Sequence, residues 1–464
     1  MNQITKIKKN AWDTYDESTI KEVFNLSHRY KEFISKCKTE RECALELASI
    51  AENHGFVNIS DVMKKGEKLK AGNKVYAINK DKGLVMFVLG SEPLEKGMKI
   101  LGSHIDSPRL DLKQNPLYEE EELALMETHY YGGIKKYQWV AIPLAIHGVV
   151  VKKDGTIINI VIGEDEDDPV IGVSDLLIHL SQDQLEKKGN KVVEGEDLNI
   201  LVGSIPIKDK EIKDRVKYAI LTSLRDKYDF VEEDFISAEL EVVPAGKARD
   251  YGLDRSMVMA YGQDDRICAY TSFEAIINST PGRLTQVALF VDKEEVGSIG
   301  ATGMESRFFE NTVAEVMELA GYYSELKLRR ALANSKMLSS DVSAAYDPNY
   351  PSVMEKKNAA FFGRGLVFNK YTGARGKSGC NDANAEFMAE IREIMDRNGV
   401  IWQTSELGKV DQGGGGTIAY ILAQYGMEVI DCGVALQNMH APWEVASKAD
   451  IYETTKGYKA FLQD

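Results

Sequence analysis

His104 and Asp106 follow the apolar run MKILGS at the spacing H-x-D. In extended chain, positions i and i+2 face the same side. Asp106 could therefore accept the imidazole N–H and fix the tautomer of His104. The same arrangement recurs. Asp264 and Asp265 follow SMVMAYGQ, Glu294 and Glu295 follow TQVALFVDK, Asp341 follows SKMLSS, and His440 follows MEVIDCGVALQNM. Each has a duller reading: a structural histidine, a helix cap at Asp264-Asp265, a solvated pair of glutamates. Ligands of open α/β sheets collect beyond the carboxyl ends of the strands, however, and five strand ends each bearing oxygen or imidazole ligands point to one site.

Two histidines and three carboxylates suit two zinc ions, each with protein ligands and an open position. Two metals about 3.5–4 Å apart bridge a water, lower its pKa and polarise a scissile carbonyl. A nearby carboxylate that is not a ligand can move the proton to the leaving amine. Glu294 suits that role if Glu295 takes the ligand position.

The elements that must hold these groups follow from pattern. Helical periodicity runs from about Glu17 to Ser35 and from about Thr39 to Gly55. Strand signals follow in KVYAINK, LVMFVLG and MKILGSH. From about Asp250 onward, strands SMVMAYG, TQVALFV, SKMLSSD and MEVIDCG alternate with helical stretches. The expected fold class is α/β, with a doubly wound, mostly parallel sheet. Between these parts the texture is β-rich. Two β-branched runs flank Asp154-Gly155, a hairpin signal, and Ser174 reads as the N-cap of a helix carrying Asp175, Leu176, Leu177, His179 and Leu180. Residues 113–245 thus read as an inserted domain, and 1–112 with 246–464 as the catalytic one.

The chain has 464 residues, of which 44% are apolar and 28% charged, with a net charge of −15. Two domains are the prior at this length, and the acidic balance argues against a nucleic-acid partner. Five cysteines without a C-x-x-C pair fit a reducing compartment. No apolar run follows the N-terminal lysines, and Trp139 to Val151 is too short to span a bilayer. The expectation is a cytoplasmic protein with no membrane partner. Gly413 to Gly416 lack the lysine and Ser/Thr pair of a P-loop and read as backbone admitted close to a cleft.

In series, GSHIDSPRL, YGQDDRICA, DKEEVGSIG, SSDVSAAYDPNY, GGGGTIAYILA and NMHAPWE resemble the aspartyl aminopeptidase family of cocatalytic di-zinc exopeptidases. The resemblance implies that His104, Asp264 and Asp341 hold one zinc, that Asp264 bridges to a second completed by Glu295 and His440, and that Glu294 is the general base, with Asp106 supporting His104. It implies peptide substrates, with cobalt or manganese as alternative metals. It also implies an inserted domain that mediates dimerisation and a dodecamer built from dimers. His179 in DLLIHL corresponds to a histidine that reaches a neighbouring subunit's active site. Acid-selective relatives place a histidine where this chain has Ala344 and a lysine where it has Asn369, beside Lys370, so preference for N-terminal Asp or Glu stays open. A related deacylase or dipeptidase acting on N-acyl amino acids or dipeptides is the rival reading.

Overall fold

The computed structural model describes residues 9–373 and 375–464. The chain divides into two compact units. One runs to Asp106 and resumes over Ala248–Met439 and Glu444–Asp464; the other comprises Ser107–Lys247 and His440–Trp443.

The first unit is built on a nine-stranded mixed sheet. Its centre is four parallel strands in the order Thr285–Val291, Met98–His104, Lys336–Ser340 and Glu428–Gly433. Antiparallel neighbours flank it: Leu84–Val88 beside Thr285–Val291, and Leu366–Asn369 beside Glu428–Gly433. Thr285–Val291 is buried along its whole length, the mark of a strand covered on both faces.

Alternate residues feed two separate cores. Leu84, Met86, Leu101, Ala288, Phe290, Leu338 and Ile430 pack with helices Glu17–Lys36, Glu40–Asn53, Gln263–Ile277, Ala385–Arg397 and Lys448–Gln463. Val85, Phe87, Ile100, Val287, Leu289, Met337 and Val429 pack with helices Ile59–Lys65, Phe308–Leu319, Glu325–Ala333 and Ala419–Ala423. The sheet is therefore covered by helices on both faces. Burying each such large side chain contributes about 1.5–3 kcal/mol, so the register that places the strand ends is strongly fixed.

Helix starts follow local chemistry. Asp16 accepts the Thr19 N–H at 2.8 Å at the head of Glu17–Lys36. Thr39 and Glu42 form a capping box, with both bonds 3.1 Å, at the head of Glu40–Asn53.

Two expectations need correction. The SMVMAYG strand, Met257–Ala260, is not part of the large sheet. It belongs to a separate five-stranded sheet with Arg249–Tyr251, Glu444–Ser447, Ala435–Gln437 and Ser343–Ala344. The helix expected after Ser174 is also absent: only a 3-10 turn, Ile178–Leu180, and a short helix, Gln182–Leu185, occur there. None of Asp175, Leu176, Leu177, Ile178 or Leu180 is buried, so no packed face offsets the cost of nucleating a helix.

The second unit carries a seven-stranded antiparallel sheet, in the order Ile157–Ile162, Leu144–Val151, Ala238–Pro244, Arg109–Glu120, Leu123–Tyr131, Ile200–Gly203 and Gly172–Val173. Its first two strands form the hairpin expected at Asp154-Gly155, closed by Lys152 and Thr156 with a 2.9 Å backbone bond. Gly155 sits at φ +87°, where a side chain would be strained. No helix among the described residues is long and apolar enough to cross a membrane.

Candidate metal centre

Three adjacent strands of the large sheet deliver the site. His104 ends Met98–His104, Glu294 and Glu295 lie just beyond Thr285–Val291, and Asp341 follows Lys336–Ser340. Register aligns them, because Val291 pairs with His104 and the Asp341 N–H bonds the Cys432 carbonyl at 2.9 Å. Asp264 and Asp265 arrive from the other sheet, at the head of helix Gln263–Ile277, with non-helical φ/ψ of −80°/107° and −114°/22°.

His104 is 1% exposed. Its Nε2 lies 3.3 Å from Asp264 Oδ1, 3.8 Å from Glu294 Oε2 and 4.0 Å from Asp341 Oδ1. Its Nδ1 lies 3.2 Å from Asp106 Oδ1 and 3.0 Å from the Asp106 carbonyl. Asp106 reaches further: its two carboxylate oxygens accept the backbone N–H groups of Glu294 and Glu295, each at 3.2 Å. One acid thus orients the imidazole and fixes the turn that presents both glutamates. The turn is completed by Gly297 at φ +97°, whose N–H bonds the Glu294 carbonyl at 2.9 Å.

Ligand-capable atoms converge in three overlapping sets: His104, Asp264 and Glu295; His104, Glu294 and Asp341; Asp264, Asp265 and Asp341. Within each set they lie within 4.8 Å of one another. The electrostatics follow. Burial alone would lower the His104 imidazole, but Asp106, Asp264 and Glu294 hold it well above its usual value. Burial and then mutual repulsion push Asp265, facing Asp341, and Asp341, facing Glu294 and Asp264, well above the carboxylate range. Asp265 is fully buried, and neither of its carboxylate oxygens meets an N–H or O–H donor among the described residues. Buried imidazole and carboxylate donors crowded in this way fit a cation with zinc's preference for nitrogen and oxygen.

His440 belongs to the second unit. It sits at φ +64°, and its Nδ1 donates to the Gly133 carbonyl at 2.7 Å. His179, also in that unit, is exposed within the 3-10 turn. Of the two positions tied to acid selectivity, Asn369 is buried 3.3 Å from the Ser343 hydroxyl, and Ala344 is the next residue after that serine. Lys370 is ion-paired with Asp382.

Two further acids border the centre. Glu444 accepts the Asp264 N–H at 3.1 Å; it lies in NMHAPWE, four residues after His440, and that spacing was its only signal. Asp431 is buried within Glu428–Gly433, where burial and then the Glu294 carboxylate push it up to about 7 despite a bond from Thr417. Nothing in the sequence separates Asp431 from an ordinary strand residue.

The family described as aminopeptidase I zinc metalloprotease (M18) matches residues 33–462. The chain belongs to the M18 family. It is 70% identical over 463 residues to the probable M18 family aminopeptidase 1 of Clostridium acetobutylicum, covering 100% of both chains. The crystal structure of aminopeptidase I from that organism superimposes with a TM-score of 0.93 at 68% identity, over 99% of this chain and 100% of the other. The M18 aminopeptidase of Thermotoga maritima gives a TM-score of 0.94 at 44% identity, over 99% and 100%. The Saccharomyces cerevisiae mApe1 dodecamer shares the fold, with a TM-score of 0.76 at 22% identity over 94% of this chain and 96% of that one. Like its M18 relatives, the protein is a zinc-dependent aminopeptidase, a metallo-exopeptidase. The deacylase reading is not favoured.

Proposed function

We propose that this M18 aminopeptidase removes single residues from the unblocked N-terminus of peptides, with Glu294 as general base and two zinc ions per subunit. The proposed ligands are His104, Asp264, Glu295, Asp341 and His440. When bound, zinc supplies Lewis acidity to the attacking water and the scissile carbonyl.

The observation that carries this reading is the pair of bonds from the Glu294 and Glu295 N–H groups to Asp106. They hold adjacent glutamates in one rigid turn, so that Glu295 can ligate while Glu294 handles the proton. Glu294 Oε2 lies 3.8 Å from His104 Nε2, beside the ligand cluster. From there its carboxylate can take a proton from water and return it to the leaving amine. Asp106 holds the His104 Nδ1–H and directs Nε2 toward the cluster. The Gly133 carbonyl accepts from His440 Nδ1 and so fixes the tautomer of that ring.

The side-chain preference we infer is for neutral N-terminal residues. Asn369 is uncharged, and Lys370 is already matched by Asp382. Assembly into a dodecamer built from dimers is supported by the exposed apolar run of the second unit, with Ile178 and Leu180 each 69% exposed, and the S. cerevisiae relative is a dodecamer. His179, within that run, is proposed to act at a neighbouring subunit's active site. Five free cysteines, four of them buried, support a reducing, cytoplasmic location.

Glu294→Gln tests the central assignment. Zinc content by metal analysis should stay at the wild-type level while turnover of aminoacyl anilides falls roughly 10²–10⁴-fold. Full activity in that variant would remove Glu294 as the base.

A further inference from the structure

The four glycines Gly413–Gly416 alternate. The Gly413 N–H bonds the Lys409 carbonyl at 2.7 Å and the Gly415 N–H bonds the Thr372 carbonyl at 3.1 Å, whereas Gly414 and Gly416 are exposed and their N–H groups make no hydrogen bond among the described residues. A Cβ on Gly413 would lie 1.7 Å from the Leu407 carbonyl oxygen, so that side of the strip is packed against backbone; a Cβ on Gly416 would meet nothing within 4 Å. Gly414 sits at φ +122°, so the strip is not a regular strand, but its two unbonded amides, two residues apart, can each meet a carbonyl of a peptide laid alongside.

The strip ends at Thr417, whose hydroxyl donates to Asp431 Oδ1 at 2.6 Å. Asp431 is 1% exposed and pairs in register with Ser339, two residues before Asp341. Ser339 in turn pairs with Gly102, two residues before His104. Side chains two apart in a strand share a face. On that face the next residue, Ile418, packs at the bare Cα of Gly102, with Ile418 Cδ1 3.6 Å from where a Cβ would sit. The downstream end of the strip is therefore pinned to the sheet just beneath His104 and Asp341. Tyr420, one turn on, donates its hydroxyl to Glu305 at 3.3 Å.

We propose that the Thr417–Asp431 hydrogen bond is a positioning device: it holds Gly413–Gly416 as a rail whose Gly414 and Gly416 amides receive the backbone carbonyls of an extended peptide substrate. Thr417 and Asp431 touch no substrate themselves. The rail is sequence-blind, because it reads only backbone. It acts on substrates long enough to offer successive carbonyls, and an aminoacyl anilide offers one. The inference rests on the peptide-cleaving function proposed above and adds to it a preference for length.

The test compares a leucyl tripeptide with leucine p-nitroanilide on the zinc-loaded protein. Thr417→Val should raise KM for the tripeptide about fivefold to tenfold, the scale of one or two lost hydrogen bonds, with kcat, zinc content and the anilide KM unchanged. Thr417→Ser, which keeps the hydroxyl, should restore the tripeptide KM. Asp431→Ala removes the acceptor and should likewise raise the tripeptide KM relative to the anilide KM, whatever its effect on kcat, so the test stands if one variant fails to fold. An unchanged tripeptide KM, or an equal rise for tripeptide and anilide, would overturn the rail. A wild-type protein that hydrolyses no tripeptide would instead overturn the peptide-cleaving function, and the rail with it.

Discussion

Asp106 accepts the Glu295 N–H through Oδ2 at 3.2 Å, tying the end of one parallel strand to the turn beyond its neighbour. Its other oxygen serves the Glu294 N–H and His104. Asp106→Asn keeps one acceptor oxygen and turns an amide N–H toward groups that themselves donate. Zinc affinity should fall about 10–100-fold, as for other groups that orient metal ligands. Competition with a graded series of chelators measures this; an unaltered midpoint would show that the turn holds itself.

Metal removal should act on both activity and fold. Asp264, Asp341 and Glu294 crowd around the His104 imidazole, with Asp265 packed against Asp264 and Asp341, and a bound cation relieves their mutual repulsion. Dialysis against chelator should abolish hydrolysis and lower the melting temperature, and zinc should restore both. Saturation should take roughly two equivalents per subunit, the number that two cocatalytic metals require. Saturation at less than one equivalent, with activity untouched by chelator, would defeat the site as drawn.

His179 stands in an exposed apolar turn, between Ile178 and Leu180. Isolated, such a residue has no chemistry to assist. If it serves a neighbour's centre, His179→Phe should depress turnover and keep its zinc. Mixed oligomers of His179→Phe with Glu294→Gln should then recover part of the activity, because some centres combine an intact base with an intact histidine. Absence of recovery in mixed oligomers verified by mass would confine His179 to its own subunit.

How far the site could be read in advance depended on where each ligand's strand lies. His104 ends, and Glu294 and Asp341 follow, strands that are buried almost throughout, whose short apolar stretches lead directly into the polar groups. Met257–Ala260 is four residues long and only alternately buried, so its membership of a second sheet left no trace in its apolar pattern. Asp265 could not be told from its neighbour Asp264, since the backbone at the helix head, not the sequence, turns both toward Asp341. The exposed turn at Ile178–Leu180 failed as a helix for a related reason. Leu176, Leu177, Ile178 and Leu180 imitate a buried face, and none of them is covered among the described residues.

The scaffold that carries Asp264 depends on an ion pair remote from the chemistry. Asp250, in the strand next to Met257–Ala260, pairs with Lys31 of the first long helix and with Lys448 at 2.9 Å at the head of the last. Lys448 is 1% exposed and lies 4.2 Å from the Phe24 ring. Burial lowers its ammonium, and Asp250 works against that shift. On the acid side, burial would raise Asp250, but Lys31 and Lys448 outweigh it and hold the carboxyl below its ordinary value. A carboxyl depressed in the native state binds its proton less tightly folded than unfolded. Its contribution to stability is therefore complete above about pH 4 and is lost as pH falls through the folded value. Asp250→Asn strands a buried ammonium and should cost about 3 kcal/mol at neutral pH. Urea unfolding of both proteins at pH 7, 5 and 3 should show a gap that holds from 7 to 5 and narrows at 3. A gap that widened in acid would mean that Asp250 is not acting as an anion.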